Sequence, residues 1–545
     1  MSHYVLAYDI GTTGVKTCLF EITDTIRMVI AASAGYNLYI LDNGGAEQDE
    51  KEWWAAMCQT TKAILALAEI TADQIEGISF CSQMQGLVLV DEDGVPVHRP
   101  MSYMDQRATE EIRKGIANGI QIAGANIFKL SPSLIITGAV SSSVKDPLWK
   151  CKWIEANEPE NFARARCWLD VKEYLVAKCT GRYIMTPDSA WSTFLYDSRK
   201  GREGWSEKLC KIFDVNMDLL PEVIGCTDEA GPLTDKAAGE LGLVPGIPVF
   251  GGGGDASLID IGAGCVKPGQ THIYSGTSGW VITVVDKQIV DTANMIAAIV
   301  GAQKNKYNYF AEMETAGKCL EWVKDHLALD EIGIYLDKQD ILEVQGSAKE
   351  KAYTSLFDYL SEIIDSIPPG AGGVIFAPWL HGNRCPFEDP DAAGIFFNVK
   401  LETGKTELIR AVVEGVCYHL RWMLECQDKK IKTSDTIRFC GGGALSDVIS
   451  QMLADITGRR IEVVASPQNV GSVGAAALAG VGLGIIDKIE DVGSYIPAER
   501  TFTPDAEAGK LYEKNYQVFK QLHKANKKLF KQINHRDRTG VLEHD

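Results

Sequence analysis

Two stretches of the chain share one pattern of apolar and polar positions. Residues 4–10 and 15–22 are apolar runs on either side of a short turn, Gly-Thr-Thr-Gly. Residues 271–275 and 280–285 flank a second turn of the same kind, Gly-Thr-Ser-Gly. Apolar runs joined by a glycine-containing turn predict β-hairpins. Because the two copies lie far apart in the chain, the repeat predicts two similar lobes that face each other.

A run of four glycines, 251–254, separates an apolar strand at 247–250 from a small-residue segment that reads as the start of a buried helix. Glycines let a ligand approach the main chain closely, and they tolerate positive φ. Asp255 directly follows them, so its carboxylate can act as a poised base. The alternative is a flexible turn that ends in an aspartate capping the helix.

The first hairpin also contains groups that could bind an anion and a metal ion. Asp9 lies at the end of its first strand, and the turn offers consecutive N–H groups and two hydroxyls. Such N–H groups can hold an anion while the carboxylate holds Mg²⁺. The alternative is a plain hairpin that binds nothing. The second copy has Tyr274 in the place of Asp9, so only the first lobe is expected to supply a metal carboxylate.

A third glycine stretch has a different context. The strand at 437–440 enters Gly-Gly-Gly-Ala at 441–444, and Asp447 begins an amphipathic helix. A strand, a glycine turn and a helix N-terminus together are typical of a nucleotide-binding site. Residues 508–533 have the pattern of a basic amphipathic helix, interpreted as a solvated cap.

Composition narrows the classes of function. The 545 residues predict two domains with a small appendage, and the net charge of −19 argues against nucleic acid or an anionic membrane as the main partner. Fourteen scattered cysteines without a CxxC pair are typical of reduced thiols in a cytosolic protein. The N-terminus lacks a signal-peptide pattern, and no apolar run is long enough to span a membrane, so a cytoplasmic location is expected. P-loop and GxGxxG motifs are absent.

Six motifs then occur in the order found in the FGGY carbohydrate kinases, and the chain resembles this family most closely in its xylulokinase branch. The resemblance covers residues 4 to about 485 and rests on residues 9–16, 82–86, 103–107, 252–255, 276–279 and 441–444. It implies an α/β fold in which two ribonuclease-H-like (actin-like ATPase) lobes flank a catalytic cleft. The expected divisions are a sugar and phosphate-loop lobe at 1–250, a nucleotide lobe at 251–490 and a helical extension at 491–545.

The resemblance also implies roles for individual residues. It makes Asp255 the general base and Asp9 the residue that holds Mg²⁺. The residues implied to bind the sugar are Met84, Gln85, Tyr103, Asp105 and Asp255. Those implied to bind the nucleotide are Gly11, Thr12, Thr13, Lys16, Gly276, Thr277, Gly317, Gly442, Gly443 and Asp447.

Two positions depart from the xylulokinase pattern. Xylulokinases usually have Met-His where this chain has Met84-Gln85, and Trp where it has Tyr103. The resemblance implies that both positions face the sugar. Gln keeps a donor and an acceptor but moves them, and Tyr adds a hydroxyl. The departures put the identity of the sugar in doubt, not the reaction.

The expected activity is transfer of the γ-phosphate of ATP to a hydroxyl of a small sugar, such as the ketopentose xylulose. Ribulose, erythritol and gluconate are alternative substrates. Two other classes stay open: an actin-like switching ATPase without a sugar substrate, and a catalytically idle sugar sensor. The family resemblance also implies a homodimer.

Overall fold

Two mixed β-sheets organise the protein, which is described here from a computed structural model covering residues 2–116, 118–122, 125–327 and 361–535. The strands of the first sheet are His3–Ile10, Gly14–Ile22, Ile26–Gly35, Ile75–Ser82, Glu229–Pro232, Pro248–Phe250 and Gly253–Gly254. The strands of the second sheet are Thr271–Ser275, Gly279–Val285, Val290–Asp291, Ile296–Val300, Tyr307–Met313, Thr436–Cys440, Arg460–Val464 and Ala498–Phe502.

Both sheets repeat one topology. Each contains one of the predicted hairpins, here called hairpin one (turn 11–14) and hairpin two (turn 276–278), with antiparallel strands. On its other side, the first strand of each hairpin pairs in parallel with a later strand: Ile75–Ser82 in the first sheet and Thr436–Cys440 in the second. Helices pack against both sheets, so the predicted α/β fold with two like lobes is confirmed.

Some helices follow an apolar periodicity in the sequence, such as Asp447–Thr457, whereas Pro147–Asn157 does not. No described helix is both long and apolar enough to cross a membrane. The described α-helices are Glu50–Leu67, Thr109–Gly115, Ile127–Thr137, Pro147–Asn157, Pro159–Arg164, Val171–Thr180, Pro187–Ser192, Glu207–Phe213, Asp235–Leu241, Asp255–Gly262, Gly317–His326, 361–366, Lys405–Asp428, Asp447–Thr457, Val470–Gly482, Val492–Tyr495 and Ala506–Asn534.

Two helices made largely of small and aliphatic residues, Asp255–Gly262 and Val470–Gly482, pack against each other between the sheets. Their backbones touch, because a Cβ on Gly262 would lie 1.8 Å from the Val470 carbonyl oxygen. The helix Val470–Gly482 also packs on the first sheet, although it follows a strand of the second. This close crossing fixes one lobe against the other.

The C-terminal segment corrects one expectation. Ala498–Phe502 is a strand that pairs antiparallel with Arg460–Val464, so the extension predicted at 491–545 is not only helical. Its half-buried and exposed positions alternate, as expected of a strand at the edge of a sheet. The helix Ala506–Asn534 then buries an aromatic face that includes Tyr516 and Phe519, while its other face is exposed. Residues 536–545 of the predicted extension lie outside the described residues.

We expect Gly262→Ala to lower the free energy of unfolding by about 1–3 kcal/mol, because the added methyl group forces two helix backbones apart. The measurement is chemical denaturation followed by circular dichroism. Gly239→Ala is the matched control, since Gly239 lies within the helix Asp235–Leu241 with open space around its Cβ position. That change is expected to stabilise by about 0.5–1 kcal/mol through helix propensity. Equal effects of the two substitutions would contradict close packing at Gly262.

Candidate active site

Three parallel strand ends meet at the centre of the site. Ile75–Ser82 lies in the middle, with Asp9 opposite Cys81 on one side. On the other side Gly253 is also opposite Cys81, and Gly254 is opposite Ser82. Adjacent strands are about 4.8 Å apart, so the backbones of Asp9 and Gly253 lie about 10 Å apart across the sheet. The register therefore brings the two aspartates singled out in the sequence, Asp9 and Asp255, to one edge.

The glycine run is a fixed loop rather than a flexible turn. Gly252 has a φ of +65°, and a Cβ there would lie 2.3 Å from the Phe80 carbonyl oxygen. The buried carboxylate of Asp188 accepts a hydrogen bond from the Gly254 N–H at 2.7 Å. The buried ammonium of Lys172 donates to the Gly251 carbonyl at 3.2 Å. These contacts set the direction in which the chain enters the helix at Asp255.

Asp255 is the first residue of its helix, and its Oδ1 accepts a hydrogen bond from the Ala256 N–H at 2.7 Å. Burial raises the pKa of Asp255 to about 7, although the Ala256 N–H acts to lower it; the nearby carboxylates of Asp9, Glu312 and Asp170 raise it further. A base with a pKa near the working pH is well suited to accept a proton from a hydroxyl.

Asp9 lies where hairpin one meets the second lobe. Burial raises the pKa of Asp9, while the ammonium of Lys16, opposite it in the hairpin, lowers it. Lys16 Nζ donates to Asn469 Oδ1 at 2.7 Å, just before the helix Val470–Gly482. Lys16 thus links the first lobe to a helix that follows the second sheet.

The turn of hairpin one has N–H groups that are available to bind a ligand. The carbonyl oxygens of Gly11 and Thr12 accept hydrogen bonds from Tyr36 Oη at 2.5 Å and Gln48 Nε2 at 2.6 Å. Among the described residues, the N–H groups of Thr12 and Thr13 have no protein acceptor. Free N–H groups in a tight turn suit the oxygens of a phosphate.

The described residues contain no group of three metal-ligating side chains. Mg²⁺ needs fewer, because it usually keeps several waters and takes one or two carboxylates together with phosphate oxygens. Asp9 fits that role: its carboxylate is desolvated, and Asp255 beside it adds negative charge that a cation would offset.

The residues expected to bind the sugar lie next to this edge. Met84 covers Gly254, where a Cβ would lie 2.2 Å from the Met84 sulfur. Tyr103 Oη accepts a weak hydrogen bond from Thr12 Oγ1 at 3.4 Å. Gln85 has a left-handed backbone with a φ of +64°. The segments 82–86 and 103–107 therefore converge beside the turn of hairpin one.

Asp105 differs from these residues. It is fully buried, and its Oδ2 accepts hydrogen bonds from Arg107 Nη2 and from the Ala46 N–H, both at 2.8 Å. Asp105 therefore holds its own segment in place within the protein.

The residues expected to bind the nucleotide gather at the matching edge of the second sheet. The Gly317 N–H donates to the Gly276 carbonyl at 2.7 Å, so the helix Gly317–His326 begins against the turn of hairpin two. Gly441 has a φ of +86°, and a Cβ there would lie 2.5 Å from the Ser275 carbonyl oxygen. Gly442 has open space at its Cβ position. Thr277, Gly276, Gly317, Gly442 and Gly443 are thus brought together.

Asp447 lies at the first position of its helix and forms an ion pair with Arg500. Arg500 also donates to the Ala444 carbonyl at 2.8 Å and so ties the glycine turn to the last strand of the sheet. Sequence reasoning missed Arg500, because the interaction depends on a strand that it did not predict.

Tyr274 shows that the two lobes face each other. It occupies the place in hairpin two that Asp9 has in hairpin one, and its ring stacks on Trp280 with centroids 4.2 Å apart. Burial raises the pKa of the Tyr274 hydroxyl, and Asp9 and Asp255 at the edge of the first sheet raise it further. The two hairpins therefore approach the same part of the molecule.

Comparison with known proteins identifies a family over most of the chain. The model of the N-terminal domain of the FGGY family of carbohydrate kinases matches residues 4–262, and the model of its C-terminal domain matches residues 272–483. A gluconokinase from Bacillus licheniformis is 29% identical over 98% of both chains. A xylulose kinase from Staphylococcus epidermidis is 28% identical over 96% of this chain and 97% of that one.

Solved structures share the fold. Gluconate kinase from Lactobacillus acidophilus has a TM-score of 0.81 at 23% identity and covers 98% of this chain and 100% of its own. Xylulose kinase from the same organism also has a TM-score of 0.81 at 23% identity, covering 97% and 99%.

The pKa of Asp255 gives a prediction for any reaction in which this carboxylate accepts a proton. We expect kcat/KM to fall as the pH drops through about 7, because protonated Asp255 cannot act as a base. The measurement is the pH dependence of kcat/KM, which reports ionisations of the free enzyme. A kcat/KM that stays constant from about pH 5 to 8 would contradict this role.

Proposed function

The chain belongs to the FGGY family of carbohydrate kinases, and on that premise we propose that it transfers the γ-phosphate of ATP to a hydroxyl of a ketopentose such as xylulose. The observation that carries the proposal is the position of Asp255. Its pKa is raised to about 7, it directly follows Gly254, against which Met84 packs, and it interacts with Asp9 at the end of the first strand of hairpin one.

In this proposal Asp255 accepts the proton of the sugar hydroxyl as that oxygen attacks the γ-phosphorus of ATP. The bond from the γ-phosphorus to the bridging oxygen breaks, and ADP leaves. The N–H groups of the turns of hairpins one and two hold the phosphate oxygens as negative charge develops. Phosphoryl transfer depends mainly on such positioning and electrostatic stabilisation. Mg²⁺, held by Asp9, would neutralise phosphate charge when bound.

Gluconate is the second candidate substrate. The gluconokinase from Bacillus licheniformis and the xylulose kinase from Staphylococcus epidermidis are almost equally similar to this chain. Gln85 and Tyr103, which depart from the xylulokinase pattern, lie on the sugar side of the cleft. Ribulose and erythritol remain further alternatives.

An actin-like ATPase without a sugar substrate is disfavoured by the convergence of segments 82–86 and 103–107. A switching ATPase needs the two hairpins and the nucleotide site, but it has no need of a polar pocket beside the base. The buried ion pair of Asp105 with Arg107 holds the segment 103–107 in place.

The proposal is tested by ADP release with Mg·ATP across D- and L-xylulose, D- and L-ribulose, gluconate, erythritol and glycerol. We expect one ketopentose to have a kcat/KM at least about tenfold above the other sugars, because a site that bonds the substrate hydroxyls discriminates by at least this factor. A preference for gluconate would mean that the substrate is a sugar acid and not a ketopentose. Steady ATP hydrolysis that no sugar stimulates would contradict sugar phosphorylation.

We expect Asp255→Asn to lower kcat by roughly 100-fold or more, because the amide cannot accept the proton. The affinity for ATP, measured by calorimetry with a non-hydrolysable analogue, is expected to stay within about threefold of wild type, since the change alters no nucleotide contact. Glu312→Gln is the matched control: it removes a negative neighbour of Asp255 but leaves the base, so activity is retained and the acid limb moves to lower pH. Near-normal turnover of Asp255→Asn would remove Asp255 from the mechanism.

A further inference from the structure

The peptide group that joins Gln85 to Gly86 forms hydrogen bonds on both sides with buried charged residues. Lys150 Nζ donates to the Gln85 carbonyl oxygen at 2.7 Å. On the opposite side of the same peptide, Asp170 Oδ1 accepts from the Gly86 N–H at 2.9 Å. Lys150 is 0% exposed and Asp170 is 4% exposed. Both hydrogen bonds involve an ionisable side chain in a low-dielectric setting, where such bonds are strong.

These two hydrogen bonds hold Gln85 in an unfavourable backbone conformation. Gln85 has a φ of +64°, a conformation that costs a residue with a side chain on the order of 1–3 kcal/mol. Such a conformation persists only where the surroundings impose it. Rotation of the peptide by half a turn would aim its carbonyl oxygen at Asp170 and its N–H at Lys150, so both bonds would become repulsive. The pair therefore fixes the direction of the peptide as well as its position.

Lys150 also connects the two segments of the sugar side. Burial lowers the pKa of Lys150 to about 8, and the carboxylates of Asp105, Asp170 and Asp146 counteract this decrease. Asp105 belongs to the segment 103–107, and Asp170 holds Gly86 of the segment 82–86. One buried cation thus lies within reach of the carboxylates that order both segments. Among the described residues, the Gln85 carbonyl oxygen is the only hydrogen-bond partner of the Lys150 ammonium.

We propose that Lys150 and Asp170 are positioning residues for substrate specificity, which hold Gln85 in its left-handed conformation so that its side-chain amide meets the hydroxyls of the acceptor sugar. This inference rests on the proposed function and adds the source of its sugar selectivity. Gln85 replaces a histidine that is usual in xylulokinases, so the backbone that presents it determines where the new donor and acceptor lie. Neither Lys150 nor Asp170 touches the reacting atoms.

The test is a double-mutant cycle of Lys150→Met and Gln85→Ala in the full chain, with D-xylulose and then gluconate as the acceptor. Lys150→Met is expected to raise the KM for the sugar at least about tenfold and to leave the KM for ATP within about twofold. In the Gln85→Ala background the same change is expected to add less than about twofold, because the side chain that it positions is gone. A residue that merely supports the fold would affect both backgrounds equally.

Lys152→Met is the matched control. Lys152 lies on the same helix but bonds Glu155 Oε2 at 2.7 Å, away from Gln85. Its substitution is expected to leave both KM values unchanged. If Lys150→Met does not fold, as judged by circular dichroism, Lys150→Gln replaces it in the same cycle, because glutamine keeps a donor. A smaller rise of the sugar KM, about threefold or more, is then expected.

The outcomes separate this inference from the proposed function. Wild-type protein without sugar-dependent ADP release would overturn both. Active wild type with an unchanged sugar KM in the Lys150 variant would overturn the positioning role alone. The positioning role alone would also be overturned if the effects of Lys150→Met and Gln85→Ala on the sugar KM simply multiplied in the double variant.

Discussion

The register of three parallel strand ends around Cys81 is the constraint on which the rest of the site depends. Asp9 on one side of Cys81 and Gly253 on the other are placed by backbone hydrogen bonds, not by contacts between their side chains. A slip of one residue would turn the Asp9 side chain to the opposite face of the sheet. The buried helix Val470–Gly482 packs on this sheet and holds the register in a single arrangement.

That register concentrates like charge around Asp255, which forms no ion pair with any other described residue. Asp9, Glu312 and Asp170 all raise the pKa of Asp255, and only the Ala256 N–H lowers it. Elsewhere in the first lobe buried charges are paired: Lys172 with Glu173, and Arg107 with Asp105. A desolvated carboxylate without an ion-pair partner is costly for folding, yet a raised pKa suits Asp255 to accept a proton near neutral pH. Its acidic neighbours do have cations nearby: Lys16 lowers the pKa of Asp9, and Arg384 forms an ion pair with Glu312.

The local parts of this design could be predicted from the sequence, because each is encoded in a few consecutive residues. Both hairpins, the glycine run before Asp255 and the strand before Gly441 have the predicted character. Lys150, Asp170, Asp188 and Arg500 could not be predicted, since each acts on a backbone group far away in the chain. The edge strand Ala498–Phe502 was also missed, because its alternation is short and the basic helix after it dominates the pattern. Sequence patterns thus identified the hairpins and the glycine turns, but not the distant side chains that hold them in place.

In the proposed function the phosphate and the sugar are bound by different kinds of groups, and this difference agrees with the nearly equal similarity of the chain to relatives with different substrates. The groups proposed to bind phosphate are mostly N–H groups of glycine turns, which any sequence with the same turns provides. The groups proposed to bind the sugar are the side chains of Met84, Gln85 and Tyr103, and the backbone of Gln85 is left-handed and held by buried charged residues. On this proposal a change of sugar requires few substitutions there and none in the turns. Similar identity to a gluconokinase and to a xylulose kinase is then expected of a shared fold with shared turns, and the proposed source of sugar selectivity is the geometry at Gln85.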